Sequence, residues 1–304
     1  MAIYLGHTTA LEYWRIHDWP PAGAPGPVRI ARLGSTNSSE RQAAALAPSV
    51  MGLTTPWEVL VNSSARRNCT SLASLRFWKW GGLFLPIGND VFVASPEDTI
   101  LQLSHDFDFP ELLLLGYELC GSYRFPVYRE ETTYGRPVCM TPASLQRALD
   151  GREGMHGIKK VRLTLRYLLP RSASPMESVL VLVLTLPPRL GGYGFPAPEL
   201  NMRCYVDECG VTYYIPDLWW RCRNVVLEYF GGRDHTELHD MVSDNLRRND
   251  LLDNGQQVLV AVYEHLINGA RMDHLAVQLS HQLGLGEIDM SREARERRRE
   301  LRTR

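Results

Sequence analysis

The chain has 304 residues, which is enough for two domains of ordinary size. Its hydrophobic fraction of 44% and charged fraction of 22% are those of a soluble globular protein. The formal net charge of −1 excludes binding to nucleic acid through a global excess of positive charge, so any such contact has to come from local basic patches.

The six cysteines lack the paired spacing of a disulfide framework and indicate reduced thiols. Cys204 and Cys209 are the closest pair, but no second pair with ligand spacing completes a zinc site around them. The N-terminus shows no basic segment followed by an apolar core, and the apolar run Val179–Leu186 is too short to cross a bilayer. We therefore expect a cytoplasmic protein without a signal peptide and without membrane contact.

Residues 1–125 show the pattern of a smaller α+β module, with recognition or regulation as its expected role. A threonine is expected to cap a short helix over residues 8–14, and Ser95-Pro96-Glu97-Asp98 begins another with a capping serine and early acids. Apolar residues at Leu112–Leu115 continue the helical pattern to about Gly121. Strands are predicted at Trp57–Asn62, at Leu75–Trp80 and twice within Phe84–Val93.

The run Arg76-Phe77-Trp78-Lys79-Trp80 combines basic and aromatic residues and has two interpretations. Charge and stacking together suit contact with nucleic acid. A half-buried strand with its aromatic residues in the core has the same pattern, because interleaved charge is normal on the solvated face. The second interpretation is favoured.

Residues 126–171 are interpreted as a basic linker that contains one short helix, Pro142–Leu149, after Thr141. The slightly longer stretch 122–171 holds ten basic and four acidic residues. A positive connector beside an acidic site would suit a phosphodiester substrate. An ordinary solvated linker has the same composition, so both explanations stay open.

The pattern is clearer in the C-terminal part, where Ser174-Pro175-Met176-Glu177 begins a helix. The order of strand, helix and strand at its end implies parallel pairing through a right-handed crossover. The predicted fold class is therefore α/β, with a mixed sheet between helices in residues 172–288 and a charged tail in residues 289–304. The tail is read as a solvated or frayed helix, or else as an arm that contacts phosphate. The predicted elements after the first helix are strands near Asn201–Val206, Val211–Trp220, Val225–Tyr229 and Val258–Tyr263, a helix from about Thr236 to Asn254 closed by Gly255, and a helix from about Met272 to Leu283.

The candidate site lies in residues 211–235, where two apolar runs flank the polar tetrapeptide Arg221–Asn224. Asp217 lies four residues before this turn and Glu228 four residues after it. If the runs pair as strands, the Cβ atoms of the two acids lie roughly 5 Å apart. Opposed carboxylates on a hydrophobic sheet are unfavourable unless one is protonated or a cation lies between them. Two hard oxygen ligands with room for water predict Mg²⁺ (or Mn²⁺) rather than zinc.

Several motifs follow one another in a definite order over about residues 172–284. They are Glu177 in Ser-Pro-Met-Glu, Pro216-Asp217, Val226-Leu227-Glu228-Tyr229-Phe230-Gly231, His235, Asp244-x-x-Arg247-x-x-x-Leu251-x-x-x-Gly255-x-x-Val258 and Val262-Tyr263-Glu264. In order and spacing this part of the chain resembles the PD-(D/E)XK nuclease superfamily, and within it the very-short-patch-repair (Vsr) endonucleases.

The resemblance implies a restriction-endonuclease-like sheet flanked by helices and metal-dependent hydrolysis of DNA phosphodiester bonds. Asp217 and Glu228 would hold Mg²⁺ (or Mn²⁺), Glu177 would complete the acidic cluster, and His235 would transfer a proton. Glu177 is also placed to be the far half of a capping box with Ser174. A histidine such as His235 is also common in a loop or at a helix start.

One position departs from the superfamily pattern, because Phe230 stands where its lysine is expected, two residues after Glu228. Vsr-like relatives also lack this lysine, but a phenylalanine can neither orient water nor stabilise developing charge. Arg233, Arg247 or Arg248 would then supply the cation and contact nucleic acid, although Arg247 also has Asp244 as a potential local ion-pair partner. The alternative function is a catalytically decayed nuclease fold that binds DNA without cleaving it, or acts as an antitoxin-like regulator.

The segments His7-Thr8-Thr9-Ala10-Leu11 and Val93-Ala94-Ser95-Pro96-Glu97-Asp98-Thr99 also resemble a known group. Residues 1–120 are similar to the region that precedes such nuclease domains in bacterial proteins related to abortive-infection antitoxins. Together the two resemblances imply a bacterial protein of DNA repair, defence or mobile-element biology.

Overall fold

The structure is a computed structural model that describes residues 2–19, 25–33, 50, 52–63, 70–88, 90–128, 131–205, 209, 212–231 and 248–302. The chain is an α/β protein, as predicted, and it divides into two compact units. The first unit comprises Met1–Cys120 and Arg124–Leu168, and the second comprises Gly121–Tyr123 and Leu169–Arg304. None of the described helices combines the length and the hydrophobicity needed to cross a bilayer.

The first unit is built on a six-stranded mixed sheet with the strand order β2-β5-β6-β1-β3-β4. Its strands are β1 (Ile3–Leu5), β2 (Val28–Ile30), β3 (Trp57–Val61), β4 (Ala73–Phe77), β5 (Gly82–Gly88) and β6 (Val91–Ala94). Its described helices are α1 (His7–Ile16), α2 (Pro96–Leu103), α3 (Phe109–Cys120), α4 (Pro142–Leu149) and α5 (Ile158–Tyr167). The strands predicted in this part of the chain are confirmed to within a few residues, because their apolar residues alternate or form short buried runs.

The starts of α1 and α2 differ in how their free backbone N–H groups are satisfied. Ser95 caps α2, since its side chain accepts a hydrogen bond from the Asp98 N–H, as predicted. The predicted threonine cap of α1 is wrong, because the helix begins at His7 after Gly6, and Gly6 has no side chain. The Thr8 side chain donates instead to Glu58 Oε2 on β3 at 2.5 Å, and the Thr8 N–H donates to the same oxygen at 2.7 Å.

Glu58 is therefore an acid that caps a helix from a neighbouring strand. It is 5% exposed and also accepts a hydrogen bond from the Arg76 guanidinium, with Nε 2.6 Å from Oε1. Burial acts to raise the pKa of Glu58, but the donors of Thr8 and the nearby charges outweigh it, and the pKa is lowered. The strand predicted for the run that begins at Arg76 is confirmed only for its first two residues, since β4 ends at Phe77, and of the two aromatic residues Phe77 and Trp78 only Trp78 is buried.

The stretch interpreted as a linker, residues 126–171, differs from that interpretation because it contains two helices of the first unit. Thr141 caps α4 in a capping box with Ser144, and Leu145 and Leu149 are fully buried. In the loop before α5, Arg152 forms an ion pair with the buried Asp98. The linker prediction considered the basic residues and overlooked the apolar residues at helical spacing. Burial of these apolar residues orders the segment.

The second unit contains a four-stranded sheet with the order β12-β11-β10-β7 and a two-stranded sheet of β8 and β9. The strands are β7 (Glu199–Leu200), β8 (Cys204–Tyr205), β9 (Tyr213–Tyr214), β10 (Leu218–Trp220), β11 (Val225–Phe230) and β12 (Gln257–Val262). The helices are α6 (Pro175–Thr185), α7 (Tyr263–Ile267), α8 (Gly269–Gln282) and α9 (Arg292–Arg302). β11 and β12 pair in parallel, which confirms the pairing expected from the strand–helix–strand order.

The helix predicted between these two strands lies largely outside the described residues. Its last turns, residues 248–253, are helical, and Gly255 follows with φ +76°, in the left-handed region that favours glycine at a helix end. The Gly255 N–H donates to the Leu252 carbonyl oxygen, and the Gln256 N–H donates to that of Leu251. The predicted closing glycine is therefore confirmed.

The charged tail forms a helix, α9, with one face packed against the unit. Arg298 is only 2% exposed, although it is an arginine in a strongly charged helix. Its guanidinium lies 4.1 Å from the centre of the Tyr193 ring and 3.5 Å from Asp273 Oδ1. The tail is therefore neither fully solvated nor frayed, because the Arg298 side chain packs against an aromatic ring and a carboxylate of the same unit.

Candidate functional site

The two strand acids lie where the local pairing was predicted to place them. β10 and β11 are antiparallel, with Leu218 opposite Leu227 and Trp220 opposite Val225. The turn between them is a short 3₁₀ helix, Arg221–Arg223, followed by Asn224 at φ +53°. The same register, continued by one residue from the pair Leu218 and Leu227, places Asp217 opposite Glu228.

Hydrogen bonds join Asp217 to Glu228 and to the next residue of β11, Tyr229. The Asp217 N–H donates to Glu228 Oε2 at 3.3 Å, and the Tyr229 N–H donates to Asp217 Oδ2 at 2.6 Å. Glu228 is 7% exposed and Asp217 is half-buried. Backbone donors therefore orient both carboxyl groups at the point where β10 begins.

Glu177 lies in the first turn of α6, where the Ser174 cap is present but the Glu177 half of the predicted capping box is not, because the Glu177 carboxylate accepts from the Ala173 N–H and not from the Ser174 N–H. Ser174 caps the helix by accepting a hydrogen bond from the Glu177 N–H at 3.1 Å. Glu177 Oε2 accepts from the Ala173 N–H and from the Asn201 side chain, each at 2.9 Å. Burial raises the pKa of Glu177, and these hydrogen bonds offset only part of that effect.

Asn201 is the residue that links Glu177 to the strand acids. It follows β7, and its backbone N–H donates to the Asp217 carbonyl oxygen at 3.1 Å. Among the residues that the structure describes, no three histidine, cysteine, aspartate or glutamate side chains are arranged to hold a metal ion. Asn201 thus connects Glu177, through its side-chain amide, with the backbone of Asp217. Glu177, Asp217 and Glu228 do not form a group of three metal ligands. The donor atoms of Asp217 and Glu228 are carboxylate oxygens, which suit a hard divalent cation with water at its other positions.

The remaining predicted site residues are placed only in part. His235, Arg233 and Arg247 lie outside the described residues. Arg248 is exposed at the start of the helical residues 248–253. Phe230 ends β11 opposite Val262 of β12 and is half-buried.

Asn201 is the residue of this site that the sequence analysis missed. Its backbone adopts φ +49°, a left-handed conformation that asparagine tolerates better than most residues other than glycine. An asparagine between two strand-like segments is a weak signal, because the same residue type is common in ordinary turns. Only the pairing of β7 with β10, Leu200 opposite Leu218, brings it beside Asp217.

Comparisons with protein-family models, with curated proteins and with solved structures found no significant match to this chain.

Proposed function

We propose that this protein is a metal-dependent DNA endonuclease whose site is built on Asp217 and Glu228, with Glu177 as a third acid. The observation that carries the proposal is the register of β10 and β11, which places Asp217, immediately before β10, opposite Glu228 of β11. Two carboxylates that lie opposite each other repel when both are ionised, and a divalent cation between them would stabilise the pair. The resemblance to PD-(D/E)XK nucleases assigns the binding of such a cation to these residues.

The residues of the site have separable tasks in this proposal. Asp217 and Glu228 bind the cation, and the N–H groups of Asp217 and Tyr229 orient the two carboxylates for it. A divalent metal at this position supplies polarisation of a phosphoryl oxygen and acidification of a bound water. Arg248 is exposed and suited to contact the phosphate backbone, with Arg233, Arg247 and His235 proposed for charge and proton transfer. The described cysteines, Cys120, Cys139, Cys204, Cys209 and Cys222, are free thiols, which supports a reducing compartment such as the cytoplasm.

A second candidate function is binding to DNA without cleavage, as in an antitoxin-like regulator. Phe230 favours it, since the half-buried ring cannot replace the lysine of the superfamily pattern. The lack of a three-ligand metal group among the described residues favours it as well.

Nicking of supercoiled plasmid in Mg²⁺ or Mn²⁺ tests the proposed function. We expect the purified chain to nick DNA, and we expect Asp217→Asn and Glu228→Gln each to reduce the rate by about 100-fold or more, on the scale of lost transition-state stabilisation. Glu287→Gln is the matched control, because it removes a charge of the same sign from an exposed position in the second unit. Retention of DNA binding without metal-dependent nicking in the wild-type protein would support the second candidate. Nicking that survives both substitutions would contradict the site.

A further inference from the structure

Asn201 makes three hydrogen bonds that join separate segments of the second unit. Its side-chain Nδ2 donates to the Arg171 carbonyl oxygen and to Glu177 Oε2, each at 2.9 Å. Its backbone N–H donates to the Asp217 carbonyl oxygen at 3.1 Å. The Arg171 carbonyl oxygen and Glu177 Oε2 are both acceptors, so the NH₂ group of the Asn201 amide has to face them. Its two hydrogens match the two acceptors.

The same residue extends the row of acids across the sheet. Leu200 lies opposite Leu218, so the next position places Asn201 opposite Asp217. Asp217 is in turn opposite Glu228 by the register of β10 and β11. Asn201 after β7, Asp217 before β10 and Glu228 in β11 therefore form one row, and the Asn201 side chain joins Glu177 to that row.

Few other residues meet both requirements of this position. The φ of +49° strains most side chains, whereas asparagine and glycine adopt it at lower cost. Glycine has no side-chain donor, and aspartate would direct a carboxylate at Glu177. Asparagine combines the left-handed backbone with two donors.

We propose that Asn201 is a positioning residue of the acid site, which fixes the Glu177 carboxyl group beside the row that Asn201 forms with Asp217 and Glu228. The expected effect of Asn201 on catalysis rests on the proposed function. The positioning of Glu177 by its hydrogen bond to Asn201 is a separate claim. Residues that support a metal site from outside its ligands typically contribute about 10- to 100-fold to metal affinity or activity.

Asn201→Gly is the test variant, because it keeps the left-handed backbone and removes the amide. Asn224→Gly is the matched control, since Asn224 has φ +53°, lies in the turn between β10 and β11, and makes no contact with Glu177. We expect plasmid nicking by Asn201→Gly to fall about 10- to 100-fold, with a higher Mn²⁺ concentration needed for half-maximal rate.

We expect the melting temperature and the activity of Asn224→Gly to stay close to wild type. Asn201→Asp should not rescue activity, although it restores a side chain of the same size. Wild-type nicking by Asn201→Gly overturns the proposal.

A second measurement separates this inference from the nuclease assignment. In protein labelled with ¹³C-glutamate, the Glu177 carboxyl resonance, assigned by Glu177→Gln, should shift in Asn201→Gly and not in Asn224→Gly at a single pH and without metal. An unchanged Glu177 resonance overturns the positioning of Glu177 by Asn201 whether or not the chain cleaves DNA. If the wild-type chain cleaves nothing while the resonance shifts, the nuclease proposal fails and the positioning of Glu177 stands.

Discussion

Two glutamates, one in each unit, are buried to nearly the same extent and yet differ in the charge of the groups around them. Glu58 is 5% exposed and receives donors from Thr8 together with the Arg76 guanidinium. Glu177 is 7% exposed and receives neutral donors from Ala173 and Asn201. The groups that act on the Glu177 carboxyl are the Ala173 backbone and the Asn201 and Ser174 side chains, all of which are uncharged.

The pKa values of the two acids shift in opposite directions for this reason. Burial acts to raise both, but at Glu58 the hydrogen bonds and charges win and the pKa is lowered. At Glu177 burial wins and the pKa is raised. Glu58 is thus neutralised within the fold and has a structural role, whereas Glu177 is a buried acid that lacks a counter-charge among its described contacts. An acid of the second kind is the better candidate for function.

Replacement of Glu58 should have the largest effect on stability in this comparison. Glu58→Ala removes the acceptor for both Thr8 donors and the partner of Arg76, so we expect the free energy of unfolding to fall by about 2–4 kcal/mol. Chemical denaturation followed by circular dichroism measures it. Glu153→Ala is the control, because its ion pair with Arg162 is exposed and should contribute about 0.5 kcal/mol or less. Equal effects of the two substitutions would refute the structural role of Glu58.

The pH dependence of stability should separate the two acids next. A lowered pKa at Glu58 contributes stability that is present above the ordinary value of 4.5 and is lost as the pH falls through the folded pKa. A raised pKa at Glu177 contributes stability that is complete below 4.5 and is lost as the pH rises through the folded pKa.

Glu58→Gln and Glu177→Gln measured between about pH 3 and pH 7 test these signs, because the ordinary glutamate pKa lies inside this range. The stability difference between wild type and Glu58→Gln should grow with pH, and that between wild type and Glu177→Gln should shrink. Slopes of the same sign would show that the two environments do not differ as described.

Removal of the cap beside Glu177 should have a smaller effect. Ser174→Ala deletes the hydrogen bond to the Glu177 N–H, so we expect a loss of about 1 kcal/mol in the free energy of unfolding. Ser291→Ala is the control, because Ser291 caps the start of α9 from an exposed position and should lose less. Thermal denaturation of both variants gives the comparison, and a larger loss for Ser291→Ala would contradict it.

Neutralisation of Glu177 itself should have the smallest effect on stability. Glu177→Gln keeps the side-chain shape and an acceptor while it removes a buried charge, so we expect a change of about 0.5 kcal/mol or less near neutral pH. The same variant should lose plasmid nicking by about 10-fold or more if Glu177 serves the site. A destabilisation as large as that of Glu58→Ala would assign Glu177 to the fold and not to function.

Local patterns in the sequence were sufficient to predict the strand–turn–strand unit of β10 and β11 and the ends of two helices in the second unit. Apolar runs around Arg221–Asn224 determine a strand–turn–strand unit, and the equal spacing of Asp217 and Glu228 from that turn then places the acids opposite each other. Gly255 as a helix end and Ser174 as a helix cap are also local, because each satisfies backbone groups within a few residues.

Only the tertiary structure decided which distant residues meet these local features. Asn201 reaches Glu177 and Asp217 because β7 pairs with β10, and no periodicity within either segment specifies that pairing. In the same way, the counter-charge of Glu58 comes from the neighbouring strand β4, and the burial of Arg298 depends on Tyr193 and Asp273. Spacing along the chain determines contacts between near neighbours, whereas packing determines which buried charge meets a partner.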